Sequence, residues 1–186
     1  MFSLINILSI SVTLFVVIDI LGSVPVIISI KRKSSGFNPL AIVLFCGVLM
    51  ILFSLVGQKL LELLGIKMES FAIAGSVVLL LLALEMILGA TIFKSDEGAK
   101  SGNLVPIAFP VLAGVGTVTT ILSLRTQYAI PDLLVGILIN LIAVYFVLRS
   151  MNWFEKMLSA QVLNAMKQFF GIILLAMAVQ LFMNNV

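Results

Sequence analysis

Residues 14–31 read LFVVIDILGSVPVIISIK. A run this apolar is a bilayer helix pattern, yet Asp19, Gly22 and Pro25 are set inside it. Proline lacks the amide hydrogen and clashes with the carbonyl four residues back, and glycine tolerates backbone angles that other residues avoid. A charged aspartate at the centre of a membrane helix costs ~2.5–3.5 kcal/mol on insertion scales, and Asp19 lies about 18 Å of helix rise from Lys31. The stretch therefore predicts two half-helices, the second restarting at Ser23 or Val24 with Pro25 in its first turn. The restart exposes amides whose dipole favours an anion.

A second copy lies 94 residues on, where residues 108–125 read AFPVLAGVGTVTTILSLR. Phe15, Val17, Gly22, Val24, Ile27 and Ser29 face Phe109, Val111, Gly116, Val118, Ile121 and Ser123 at that offset. Ser23 faces Thr117, and Lys31 faces Arg125. Residues 82–86, LALEM, resemble residues 177–181, MAVQL, with Glu85 opposite Gln180. Here too the backbone is punctuated, by Pro106, Pro110, Gly114 and Gly116.

Working outward, 62% of the 186 residues are hydrophobic and 10% are charged. Soluble domains carry about 45–50% apolar and about 25% charged residues, so this composition belongs to a membrane protein. Six stretches, near 4–30, 39–57, 69–92, 104–124, 132–151 and 168–184, approach the roughly 20 apolar residues a crossing needs. Solid apolar runs exclude a β-barrel, which alternates apolar and polar residues. The expected fold is an all-α membrane protein of six transmembrane helices, its first and fourth helices broken. One domain covers 1–186, with a first three-helix repeat at 1–93, a connecting loop at 94–103 and a second repeat at 104–186. Three helices per repeat is an odd number, so the second copy enters from the opposite side: an inverted-topology repeat, in which paired interruptions point to a substrate site.

The charge pattern orients the chain. Of eleven Lys and Arg residues, eight (Lys31, Arg32, Lys33, Lys94, Lys100, Arg149, Lys156, Lys167) fall on one side and three (Lys59, Lys67, Arg125) on the other. Cytoplasmic loops carry the basic excess, so both termini are expected outside the cytoplasm and the net charge of +3 implies no nucleic acid. The N-terminus has no basic flank or small-residue cleavage site and reads as a retained span rather than a signal peptide. Cys46, the single cysteine, reads as a small buried hydrophobe.

The candidate substrate-binding residues are Asp19, Gly22, Ser23, Pro25, Gly114, Gly116, Thr117, Thr119 and Thr120. Asp19 is the expected ammonium or coupling-ion group, with H+ or Na+ as the ion; the threonines offer hydroxyls to freed backbone or to a ligand. Glu85, Asn140 and Gln180 are candidates for coupling or for helix-helix hydrogen bonds, worth about 0.6–2 kcal/mol each. Tyr128, Tyr145 and Trp153 read as interfacial belt residues. With no histidine, Ser-His-Asp chemistry and His-ligated metals are excluded, and no GxxxxGK[ST] phosphate loop is present. No catalytic residue, metal or cofactor is expected, and the chain is not expected to be an enzyme. A scaffold that moves nothing is the alternative to a transporter. It requires a dry interface, with Asp19 serving only as a cap.

The same residues resemble the MarC family of integral membrane proteins, in the LysE-type transporter superfamily. Asp19, Gly22 and Pro25 are similar to the family's D-P-x-G-x-x-P pattern, and FAIAGSVVLLLLALEMI (71–87) resembles its third span. PIAFPVLAGVGTVTT (106–120) resembles the P-x-x-x-P…G-P-G segment, and FFGIILLAMAVQ (169–180) the last span. Ile20 and Val115 stand where the family usually has proline, which predicts softer breaks. The resemblance implies an inner-membrane transporter of small neutral amino acids such as glycine or alanine. Such a zwitterion would place its carboxylate on the half-helix N-terminus and its ammonium near Asp19. Six spans enclose little volume, which is compatible with a homodimer, although no interface motif in the sequence specifies one.

Overall fold

The computed structural model describes residues 3–20, 22–33, 36–89, 107–157 and 159–186. The connecting loop 94–103, with Lys94 and Lys100, and Pro106 lie outside the described residues. Among those described, regular structure is entirely helical.

Local chemistry sets most of the helix ends. Helix α1 (Leu4–Ile18) opens on Ser3, whose hydroxyl accepts from the Asn6 amide at 3.4 Å. Helix α2 (Val24–Lys33) carries Pro25 in its first turn, where the missing amide costs nothing. In α3 (Pro39–Leu63), the Asn38 side chain accepts from the Ala41 amide at 3.2 Å, and Pro39 takes the first helical position. Helix α4 (Met68–Leu88) stops at Gly89, which adopts a left-handed conformation (φ 70°) that favours glycine. An irregular wide turn, α5 (Ile107–Leu112), precedes α6 (Val115–Gln127). Helix α7 (Ile130–Arg149), the short α8 (Met151–Met157) and α9 (Ala160–Met183) complete the chain, with Ser159 capping α9.

Four helices, α3, α4, α7 and most of α9, are long and apolar enough to cross a membrane. The shortest, α7, has 20 residues, about 30 Å of rise against a hydrocarbon core of about 30 Å. Helix α1, with 15 residues, reaches only about 22 Å. The apolar stretches 4–30 and 104–124 are therefore not single rods: the first divides into α1 and α2, and the described part of the second into α5 and α6. The last helix starts at Ala160 rather than near 168, which places Lys167 inside α9 instead of in a loop.

Helices of one half pack mainly on helices of the other. The most extensive pairing is α4 with α9, followed by α1 with α7 and α3 with α7; α6 also lies against α1, α3 and α4, and α2 against α9. Successive contacts show that α1 and α7 run parallel: Ser3 meets Asp132, Ile10 meets Gly136, and Ser11 meets Asn140. The contacts of Cys46 with Ala108 and of Gly57 with Leu122 likewise make α3 parallel to α5–α6. Ile10, Leu14, Ile27, Cys46, Leu112 and Ile137 form the centre of the core, all fully buried. The outside is apolar as well, with Leu4, Leu44, Val48, Ile142, Phe146 and Phe169 exposed. Such a surface is stable against lipid and not against water, while the polar Asn140 and Thr117 are turned inward.

Small residues let these helices approach. A Cβ on Gly75 of α4 would overlap the Val115 side chain at the start of α6, and one on Gly136 of α7 would overlap Ile10. Gly171 of α9 sits against Met86 and Ile87 of α4. Close packing of this kind substitutes for the hydrophobic drive that lipid does not supply between helices.

Candidate functional site

Asp19 ends α1. It adopts a left-handed conformation (φ 44°, ψ 48°), and its amide donates to the Phe15 carbonyl at 3.2 Å. Among the described non-glycine residues it alone has a positive φ, a region aspartate tolerates better than most. The sequence assigns the unusual backbone to Gly22, whereas the structure gives it to Asp19. What Gly22 supplies is space: a Cβ there would overlap the Asp19 carboxylate.

The Asp19 side chain then turns forward. Its Oδ1 accepts from the Gly22 amide at 3.2 Å, and its carbonyl accepts from the Ser23 amide at 2.9 Å. One residue thus closes α1 and accepts from the two amides, Gly22 and Ser23, that lead into α2. Of the two expected restarts, Ser23 or Val24, the structure shows Val24, with Pro25 buried behind it.

Asp19, Gly22 and Ser23 face a cavity of about 40 Å³ between α2, α4, α5 and α9. Val26, Leu79, Leu82, Met86 and Val111 form part of its wall, and Phe170, Leu174 and Met177 of α9 complete it. A water needs about 10–15 Å³ of such space, so there is room for about three water-sized positions.

The second interruption is built differently. Phe109 is extended (φ −138°, ψ 128°) within α5, the Ala113 amide donates to the Ala108 carbonyl at 2.8 Å, and Gly114 is extended as it enters α6. The Thr117 hydroxyl donates to the Leu112 carbonyl at 3.0 Å, repairing one group that the break frees. Thr119 donates to the carbonyls of Val115 and Gly116, and Thr120 to that of Gly116. These hydroxyl protons are spent on backbone. Gly114, Gly116, Thr117, Thr119 and Thr120 do not line the cavity beside Asp19; from this segment Val111 does. The two interruptions are nevertheless neighbours, since α1 lies against α6.

Of the other candidates, Asn140 is buried and joins helices: its Nδ2 donates to the Ser11 carbonyl of α1 at 3.1 Å and to the Gly136 carbonyl at 2.9 Å. Gln180 lies on an exposed face of α9 and donates to Asn184 at 2.7 Å. Glu85 is half-buried near the end of α4 and is not among the residues facing the cavity. Among the described residues no three His, Cys, Asp or Glu side chains converge on a metal position.

The profile of the MarC family of integral membrane proteins matches residues 4–186. The chain belongs to that family. It is 29% identical to a UPF0056 membrane protein of Buchnera aphidicola (Schizaphis graminum strain), over 97% of this chain and 96% of the relative. It is 28% identical to the UPF0056 inner membrane protein YhgN of Escherichia coli K12, with the same coverage. A UPF0056 membrane protein of Pyrococcus abyssi is 27% identical over 94% of this chain and 91% of its own. No solved structure matches. This MarC-family chain is therefore an integral, multi-pass membrane protein.

Two charged residues that matter to the architecture of this MarC-family chain escape the sequence reading. Asp132, in the first turn of α7, is only 2% exposed. It accepts from the Ser3 amide and from Asn6 Nδ2, each at 3.3 Å, and pins the start of α1 to α7. Alone in the sequence it reads as a dipole-compensating acid at a helix start, and its partners lie more than 120 residues away. Glu155 of α8 accepts from Lys31 at 2.7 Å and from Arg32 at 2.9 Å, tying the end of α2 to the second half. Hydrogen bonds from Lys31 first, then Arg32, hold its carboxyl below the usual range. The spacing of acids and bases across two loops carries no local signal of that clasp.

Proposed function

We propose that the chain is a secondary transporter of small neutral amino acids, with glycine and alanine as substrates, working by alternating access. The single observation carrying this reading is the cavity at the break between α1 and α2. A carboxylate and a hydroxyl face it inside an otherwise apolar bundle, and its remaining walls come from α4, α5 and α9. Irregular backbone at membrane depth persists where it is buried in protein or lines a wet cavity. Asp19 takes the substrate ammonium or the coupling ion, H+ or Na+.

On this reading the six crossings are α1–α2, α3, α4, α5–α6, α7 and α9, arranged as two inverted repeats. The packing supports it. Each interrupted segment runs parallel to the second long helix of the other half, α1 with α7 and α5–α6 with α3. The pairs α3 with α7 and α4 with α9 then join equivalent helices, and the distal halves α2 and α6 both reach the other half's last helix. The clasp of Lys31 and Arg32 with α8, which also carries Lys156, gathers basic residues at one end of the bundle. By the positive-inside rule that end is cytoplasmic, with both termini on the opposite side of an inner membrane.

The test is counterflow of labelled alanine and glycine in proteoliposomes beside empty liposomes. Uptake accelerated by unlabelled substrate inside, and lost in Asp19→Asn, is the expected result. Flat traces from folded protein for both solutes would remove this substrate class.

A further inference from the structure

We infer that the cavity beside Asp19 selects its ligand by an ammonium group and a short aliphatic body, so that small primary amines are ligands and small carboxylates are not. The inference rests on the cavity being the substrate site proposed above and specifies its chemistry. Three observations carry it. Among the described residues that face the cavity, Asp19 is the one charged side chain, with no Lys or Arg to receive an anion. The Gly22 amide, which faces the cavity from the break, is already taken by Asp19 Oδ1 at 3.2 Å. The Ser23 amide is spent on the Asp19 carbonyl.

A second carboxylate there would meet a like charge and no free donor from those two amides, in a medium where unpaired charge is costly. An ammonium instead meets Asp19 and can share the Ser23 hydroxyl, while a short carbon chain lies against Val26, Leu82 and Leu174. Size agrees: about 40 Å³ gives room for about three water-sized positions, the scale of ethylamine. The carboxylate of an amino acid must then point out of this space, making no contact the site requires. Alaninamide, which keeps the ammonium and blocks the acid, is expected to bind at least as well as alanine.

The experiment uses the full chain, purified and folded, in two arms. In the first, equilibrium dialysis with labelled ethylamine reads binding directly, with propionate as challenger. Saturable binding, undisturbed by propionate and weakened at least tenfold in Asp19→Asn, is expected. That variant keeps an oxygen for the Gly22 amide and tolerates a positive φ. A second variant, Leu82→Phe, fills the cavity with Asp19 intact and should also abolish binding. In the second arm, ethylamine and alaninamide compete with alanine counterflow and propionate does not. Absence of saturable ethylamine binding, or its displacement by propionate, overturns the inference. Alanine counterflow without ethylamine binding would leave the transporter and remove the amine rule. Asp19-dependent ethylamine binding without alanine counterflow would do the reverse.

Discussion

Replacing Gly75 with alanine should drive α4 and α6 apart. The added methyl would overlap Cβ and both Cγ atoms of Val115, which is buried at 4% exposure. A Cβ is fixed to its backbone, so no rotamer of Val115 relieves the overlap. Over-packing a tight core costs about 1–3 kcal/mol, and a clash with backbone-fixed atoms belongs near ~3. Alanine regains up to ~1 kcal/mol of helix propensity over glycine, which leaves a net loss of about 2 kcal/mol. The same swap at Gly116 is the internal control. Its added methyl would meet nothing nearer than Val17 at 4.0 Å, so the change should be neutral or stabilising by up to ~1 kcal/mol. Reversible unfolding in mixed micelles, followed by helical circular dichroism, measures both. A double-mutant cycle sharpens the test. Val115→Gly removes the overlapping atoms and should recover the whole clash, about 3 kcal/mol of coupling, since the propensity gain persists in the double mutant, whereas Val115→Ala keeps the Cβ and should recover less than ~1. Equal stability of Gly75→Ala and the wild type would refute the packing geometry at the second break.

Three further outcomes are expected. Asp132→Leu leaves the Ser3 amide and Asn6 Nδ2 without their acceptor, costing about 1–3 kcal/mol; hydrogen exchange should quicken in the first turns of α1 and not in α4. Asn140→Leu removes a bridge from α7 to α1, and unfolding in micelles should register about 0.6–2 kcal/mol. Because Lys31 and Arg32 depress the Glu155 carboxyl, its stabilising contribution is complete above the unfolded value, near ~4.3, and fades as pH falls through the folded value. Glu155→Gln should cost ~0.2–1 kcal/mol at neutral pH and flatten the acid limb of the stability profile.

The interruption at residues 19–25 was legible because proline, glycine and aspartate are each costly inside an apolar helix and together leave few foldings. Gly22 and Pro25 together narrow the restart to Ser23 or Val24, and α2 begins at Val24. Which residue carries the strained backbone did not follow, since glycine is the default for a positive φ and the competing demand, room for a carboxylate, is three-dimensional. The sequence leaves Thr117, Thr119 and Thr120 two uses, freed backbone or a ligand. In the fold their protons go to nearby carbonyls, a local pairing that always competes with an external partner. Asp132 and Glu155 could not be found from pattern, because each is defined by partners on another helix more than 120 residues away.

Interleaving of the two halves has a consequence for biogenesis. The main partner of α1 and of α3 is α7, and that of α4 is α9, both synthesised after them. During translation the early helices therefore enter the bilayer with their glycine notches and the Ser3–Asn6 end of α1 unfilled, and they wait in lipid until the later helices arrive. Assembly of this chain is a late, collective docking rather than a helix-by-helix accretion.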